Sequence, residues 1–187
     1  GDISSTKIRG ALSSGDVEAA SAMLGYDYFL NGVVVSGNRI GRTLGFPTAN
    51  MQLYEPLKLI PESGVYLVRV EFPELAGDAG LVPAPSGTSG AVSLSCGASG
   101  ADSMVQGGRV LYGMCNIGSR PTVNLGANIT IETNIFGFDE DIYGLPLRIS
   151  FMKRLRGETR FSSTAALRDQ LTSDRASCLS LLGQIAK

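Results

Sequence analysis

The 187-residue sequence contains no histidine. That absence removes the commonest general base and the commonest transition-metal ligand. Catalysis must then come from carboxylates, lysine, hydroxyls or the backbone. A metal would be a hard, oxygen-bound ion, Mg2+ being the usual case with phosphates. Cysteine is scarce and odd in number: Cys96, Cys115 and Cys178 lie far apart, with no CxxC pair. They read as reduced thiols of a cytoplasmic protein, with neither a disulfide framework nor a thiolate metal site. There is no basic excess, since 16 Lys and Arg face 17 Asp and Glu for a net charge of −1. A nucleic-acid partner usually requires one. Apolar runs are too short to cross a bilayer as helices, and no signal-peptide pattern opens the sequence. What is present is a globular composition, 43% hydrophobic and 18% charged, at the length of one domain or slightly more.

Residues 4–25 carry helix signals. Ser4 or Ser5 can cap a short helix bearing Ile8 and Leu12. Asp16 caps a second, with Val17, Ala20, Met23 and Leu24 on one face and Gly25 as its stop. Beyond Gly25 the texture changes. Residues 28–37, 64–72, 109–118, 128–136 and 145–155 are short runs rich in β-branched and aromatic residues, separated by turn residues. With a short extended piece at "PTAN" they make six strands. No helices alternate with them, which predicts antiparallel pairing. A closed barrel is the natural way for six short strands to hide their edges. The chain ends in a helix capped by Ser162 or Ser163, with Leu167, Leu171, Cys178, Leu182 and Ile185 near a helical period facing the barrel. Residues 74–108 are dominated by small residues and interrupted by Pro83 and Pro85. They cannot bury enough apolar area to offset their ordering entropy, and they read as a long hairpin insertion between two strands.

One stretch resists a secondary-structure reading: "GRTLGFPTAN", residues 41–50. The preceding strand ends at Gly37, and the loop after it holds Gly41, Gly45, Arg39 and Arg42. Glycines let backbone N–H groups approach an anion, and arginine adds charge-assisted hydrogen bonds. The spacing is neither GxxxxGK[ST] nor GxGxxG, and alone it reads more often as a turn. "PTAN" sharpens it. Pro47 favours an extended entry, after which Thr48 and Asn50 point the same way. A hydroxyl and an amide oxygen then lie side by side, two neutral hard donors suited to Mg2+ with phosphate oxygens as its other ligands. The plain alternative is a turn with Asn50 bonded to its own backbone.

A second constellation is "ITIETNIFGFDEDIYG" (129–144). Alternation puts Ile129, Ile131 and Thr133 on one face and Thr130, Glu132 and Asn134 on the other. Glu132 is a lone carboxylate among neutral strand residues, a pattern that by itself marks a solvent-facing residue more often than a base.

Taken in order, "GRTLGFPTAN", "NIGSRPTV", "IETNIFGFDEDIYG" and "LRGETRFSS" resemble the riboflavin kinase family, in particular the C-terminal module of bacterial bifunctional riboflavin kinase/FMN adenylyltransferases. The resemblance covers residues 27–187 apart from 74–108, and PTAN is its most specific piece. Residues 3–25 look like the end of the adenylyltransferase domain of those proteins. The expected organisation is therefore a helical linker over 1–26 and a riboflavin kinase domain over 27–187, in a piece of a longer chain that would not make FAD by itself.

The resemblance implies an all-β six-stranded antiparallel barrel with a C-terminal helix, ATP and riboflavin as substrates, FMN and ADP as products, and Mg2+ as cofactor. No nucleic-acid or membrane partner is expected. It implies that Thr48 and Asn50 hold the metal and ATP, under a glycine flap of Gly37, Gly41, Arg42 and Gly45. Adenine would rest against Ile135, Tyr143 and Ile149. Flavin would be held by Arg156, Thr159 and Phe161, where an aromatic ring and a cation suit the isoalloxazine. Glu132 occupies the position of the family's catalytic glutamate, while the family's histidine two residues on is Asn134 here. The rival expectations are a non-catalytic flavin-binding or regulatory barrel, which needs neither a metal pair nor a base, and a ligand-free structural barrel.

Overall fold

The computed structural model describes residues 4–37, 40–73, 110–121, 127–138 and 140–185. Two helices come first, α1 (Ser5–Ser13) and α2 (Val17–Leu24). Ser4 caps α1 by accepting from Lys7 N, and Asp16 caps α2 by accepting from Ala19 N. Gly25 ends α2 at φ +82°, a left-handed geometry that costs glycine nothing. Six strands follow: β1 (Phe29–Val35), β2 (Ala49–Leu53), β3 (Gly64–Glu71), β4 (Leu111–Pro121), β5 (Ala127–Ile135) and β6 (Pro146–Arg156). A four-residue helix, α3 (Ile40–Thr43), lies between β1 and β2, and α4 (Thr164–Ile185) closes the chain.

The strands form a closed antiparallel barrel in the order β1-β2-β5-β4-β3-β6. Closure gives each of these strands two hydrogen-bonded neighbours, as the sequence reading expected. Each of the six predicted strands is present, with ends displaced by a few residues at most. Among the described residues no helix is long and apolar enough to cross a membrane.

Burial along the strands has two origins. In β1 it alternates, with Leu30 and Val34 turned inward. In β3 it is nearly continuous. Tyr66, Val68 and Val70 fill the barrel interior, whereas Val65 and Leu67 face outward beneath α4. There they meet Leu167, Leu171, Leu182 and Cys178, which is fully buried. Inside, Tyr66 and Phe151 pack edge to face with centroids 5.2 Å apart. Two cores therefore sandwich one side of the barrel wall. Ile185 departs from expectation. It is 63% exposed, because the last turn of α4 runs past the barrel. Of the two candidate caps for α4, Ser163 is the one used, accepting from Ala166 N.

Helices α1 and α2 share the interior core through Leu12, Val17 and Ala20. The turn between them is fixed by Gly15 at φ +80°, where a Cβ would strike the Arg154 guanidinium. Arg154 Nη2 in turn donates to Ser63 O at 2.6 Å. The segment expected as a linker is thus packed into the barrel's own core.

The long insertion expected over 74–108 lies outside the described residues. The strands on either side of it form a hairpin, with Val70 paired to Leu111. Because those ends are already adjacent, closure entropy changes only logarithmically with loop length. Replacing residues 76–106 with a short Gly-Asn turn is expected to leave cooperative thermal unfolding intact. Loss of a cooperative transition would place the segment in the core.

Candidate functional site

Two cavities meet at Thr48. The first, about 580 Å3, opens at one end of the barrel, a size typical of small-molecule sites. Its walls include Gly37, Arg42, Thr48, Asn50, Ile135 and Tyr143. The second, about 280 Å3, lies between the outer face of the barrel and the start of α4. Its walls include Gly41, Thr48, Glu132, Arg156, Thr159 and Phe161. Six of the residues expected to hold nucleotide line the first cavity, Gly41 lines the second, and the three expected to hold flavin line the second.

Strand register explains the junction. β2 pairs with β5 through Ala49↔Thr133 and Asn50↔Glu132. Directly opposed residues in an antiparallel pair share a face, with Cβ atoms about 5 Å apart. Asn50 and Glu132 are therefore neighbours, Asn50 on the wall of the first cavity and Glu132 on that of the second. On the other side of Glu132, β4 sets Asn116 opposite it. Ala49 and Met51 pack toward the interior core, which leaves the intervening Asn50 turned outward. The alternation that predicted Thr48 and Asn50 on one side of the strand matches this arrangement.

The glycine-rich segment is more ordered than a simple flap. Leu44 N and Phe46 N both donate to Gly41 O, and Leu44 and Phe46 bury themselves under α4. Gly45 turns the chain at φ +84°. It lines neither cavity, so its role in the structure is to make the turn. Gly41 faces the second cavity, and a Cβ there would collide with Phe46 O. At Gly37 a Cβ would overlap the Asn50 carboxamide, so glycine lets the end of β1 close over Asn50. Arg42 is exposed on the rim of the first cavity. Arg39 lies outside the described residues.

Ile149 is a further expected nucleotide residue that the structure sets apart, beside Gly41 and Gly45. It is fully buried in the interior core and lines neither cavity, being an inward residue of β6. Tyr143, by contrast, is 67% exposed at the rim.

Arg156, on the wall of the second cavity, is held in an ion pair. Arg156 Nε and Nη2 both reach the carboxylate of Asp174, at 2.8 Å for the closest contact, and Gln170 Nε2 adds a bond at 2.9 Å. Asp174 is 4% exposed. The Arg156 guanidinium then stands 5.7 Å from the Phe161 ring centroid, a cation–π distance. Sequence reasoning missed Asp174, since an aspartate within a helix carries no local signal. It also passed over Glu158, whose Oε1 accepts weakly from Ser119 N at 3.4 Å and ties the loop after β6 to β4. Behind the site, burial pushes the Cys115 thiol up to about 12, so it stays protonated and takes no nucleophilic part.

Removing the carboxylate of a buried pair strands its partner. Asp174→Ala is expected to cost about 3 kcal/mol, the lower end of that effect because Arg156 keeps some solvent contact. That corresponds to a melting-temperature fall of about 6–12 °C for a chain of this size. Riboflavin affinity should fall as well, with nucleotide affinity retained. An unchanged melting temperature would show that the pair contributes nothing to stability.

The riboflavin kinase (flavokinase) family model matches residues 24–182. The Bacillus subtilis bifunctional riboflavin kinase/FMN adenylyltransferase is 33% identical over 99% of this chain and 48% of its own length. The Haemophilus influenzae protein of the same name is 33% identical over 92% of this chain and 44% of its own. A solved Streptococcus pneumoniae structure, described as a macrolide-efflux protein, is 32% identical with a TM-score of 0.72, covering 94% of this chain and 46% of that one. The chain spans about half the length of the curated relatives it matches. With a family model matched across most of its length and a barrel of the expected topology, the chain belongs to the riboflavin kinase family.

Proposed function

We propose that this chain phosphorylates riboflavin, moving the γ-phosphoryl group of ATP to the terminal ribityl hydroxyl to give FMN and ADP. The observation that carries this reading is the junction at Thr48, where the nucleotide-sized cavity and the aromatic-walled cavity meet beside the opposed pair Asn50 and Glu132. A phosphoryl donor in the first and a hydroxyl acceptor in the second would approach each other there. Such transfers depend mainly on positioning and charge neutralisation.

The isoalloxazine ring lies against Phe161 beside the Arg156 guanidinium, whose charge Asp174 already balances. The ribityl chain runs toward Glu132. As the ribityl oxygen bonds to the γ-phosphorus, the bond from phosphorus to the bridging oxygen breaks and its electrons leave with ADP. The hydroxyl proton passes to the Glu132 carboxylate. Arg42 and Gly37 line the first cavity and would lie beside the phosphates.

The donor set also fits Mg2+. Among the described residues no cluster of three or more His, Cys, Asp or Glu could hold a metal, so an all-protein cage is absent there. Thr48 and Asn50 supply two neutral oxygens, and Mg2+ characteristically completes its shell with water and phosphate. Bound there, the ion would neutralise phosphate charge. By analogy with the relatives' names, the parent chain would carry FMN adenylyltransferase activity in a unit adjoining α1. The cytoplasm, where ATP is plentiful, is the proposed compartment.

The test is incubation with riboflavin, ATP and Mg2+ followed by chromatography of the flavins. FMN and ADP should form in equal amounts. Tight flavin binding without conversion would instead support a non-catalytic flavin-binding barrel.

A further inference from the structure

Asn134 has no place in the roles above, yet its side chain is buried, with 7% exposure, and it makes a specific bond. Its Nδ2 donates to the Pro47 carbonyl at 2.8 Å, across 87 residues of sequence. The location explains why a side chain is used. The β2·β5 ladder consists of Ala49↔Thr133 and Asn50↔Glu132, and continuing that register would set Thr48 opposite Asn134. Backbone pairing stops there, because Pro47 brings no N–H to extend it. The Asn134 carboxamide supplies the next rung from its own side chain.

We propose that Asn134 is a positioning residue that holds the Pro47 carbonyl, and through it the Thr48 hydroxyl, in register with Glu132 at the junction of the two cavities. Glu132 and Asn134 lie two apart on one face of β5, and both line the second cavity. Thr48 is the residue after Pro47 and borders both cavities. The strut therefore spans from the strand that carries the base to the segment that carries the phosphate-side ligands. An amide N–H donates at every working pH, so this link does not titrate. The catalytic consequence rests on the proposed kinase reading, whereas the strut itself does not.

Three variants separate positioning from mere packing. Asn134→Leu keeps the volume and removes the donor. Asn134→His restores an N–H. Asn134→Asp places a carboxylate against the Pro47 carbonyl at neutral pH and regains a donor only when protonated. In the ligand-free protein, the Thr48 and Ala49 backbone amide resonances should shift in the leucine variant and return toward wild type in the histidine variant. Amides of α4 should stay in place throughout. With turnover, the leucine variant should lose about 10–100-fold in kcat. Its affinity for a non-hydrolysable ATP analogue with Mg2+ should fall as well. The aspartate variant should recover activity as pH is lowered toward 5, a trend absent from wild type. Unmoved Thr48 and Ala49 signals in the leucine variant would overturn the strut, whatever the activity. Should the leucine variant fail to unfold cooperatively, failure of the histidine variant to restore those signals, or a flat pH response of the aspartate variant, would overturn it equally. A wild type that forms no FMN would overturn the kinase reading and leave the resonance test standing.

Discussion

Glu132→Gln is expected to lower kcat for FMN formation by about 10²–10⁴, the usual worth of a positioned general base. The substitution keeps size and hydrogen-bonding reach but cannot take the hydroxyl proton. Riboflavin and nucleotide affinities should change little, since an amide can still hold the hydroxyl. No histidine exists in the chain to stand in. Cys115 cannot substitute either, since its buried thiol stays protonated. The informative comparison is single-turnover FMN formation at saturating substrates for wild type, Glu132→Gln and Glu132→Ala. Phosphoryl transfer passes through a loose transition state with limited need for early deprotonation. A carboxylate that only orients the hydroxyl would be replaced by glutamine at small loss. A glutamine variant within about threefold of wild type would therefore rule out the base role even if the alanine variant were inactive.

The second large effect is expected at Asn50. Asn50→Leu keeps approximate size and removes an oxygen from the wall of the first cavity. Mg2+-dependent ATP binding should weaken about 10-fold or more, the order expected when a charge-assisted contact is lost. Riboflavin binding should be nearly unchanged, because Asn50 does not line the second cavity. Calorimetry with each ligand alone separates the cases. Equal loss of both affinities would mean that Asn50 supports the wall of β2 and is no ligand.

The barrel was legible because its strands are short, β-branched and bounded by turn residues, and because no helices alternate with them. The caps Ser4 and Asp16 and the stop at Gly25 were legible for a local reason: each acts within one helical turn. Two features were hidden. The short helix α3 has no amphipathic period, and its anchors Leu44 and Phe46 find their partners in the distant cluster between the barrel wall and α4. Ile185 continued the helical period on paper, but the helix outruns the barrel and leaves it in solvent.

At the candidate site, alternation placed Thr48 with Asn50, and Glu132 with Asn134, from the sequence alone. Their juxtaposition was not legible, since it depends on the β2·β5 register, a pairing between segments more than 80 residues apart. The same applies to Asp174, which becomes meaningful only when α4 is laid against Arg156. Ile149 shows the converse. Its place in the family pattern suggested a ligand contact, while the pleat of β6 turns it into the core.

The most direct measurement is a single-turnover experiment with protein in excess over riboflavin, using ATP labelled at the γ-phosphate. The account expects label to appear in the flavin fraction as FMN, at the rate at which riboflavin disappears and only when Mg2+ and both substrates are present. Label released as inorganic phosphate with riboflavin unchanged, or bound riboflavin that never acquires label, would contradict it.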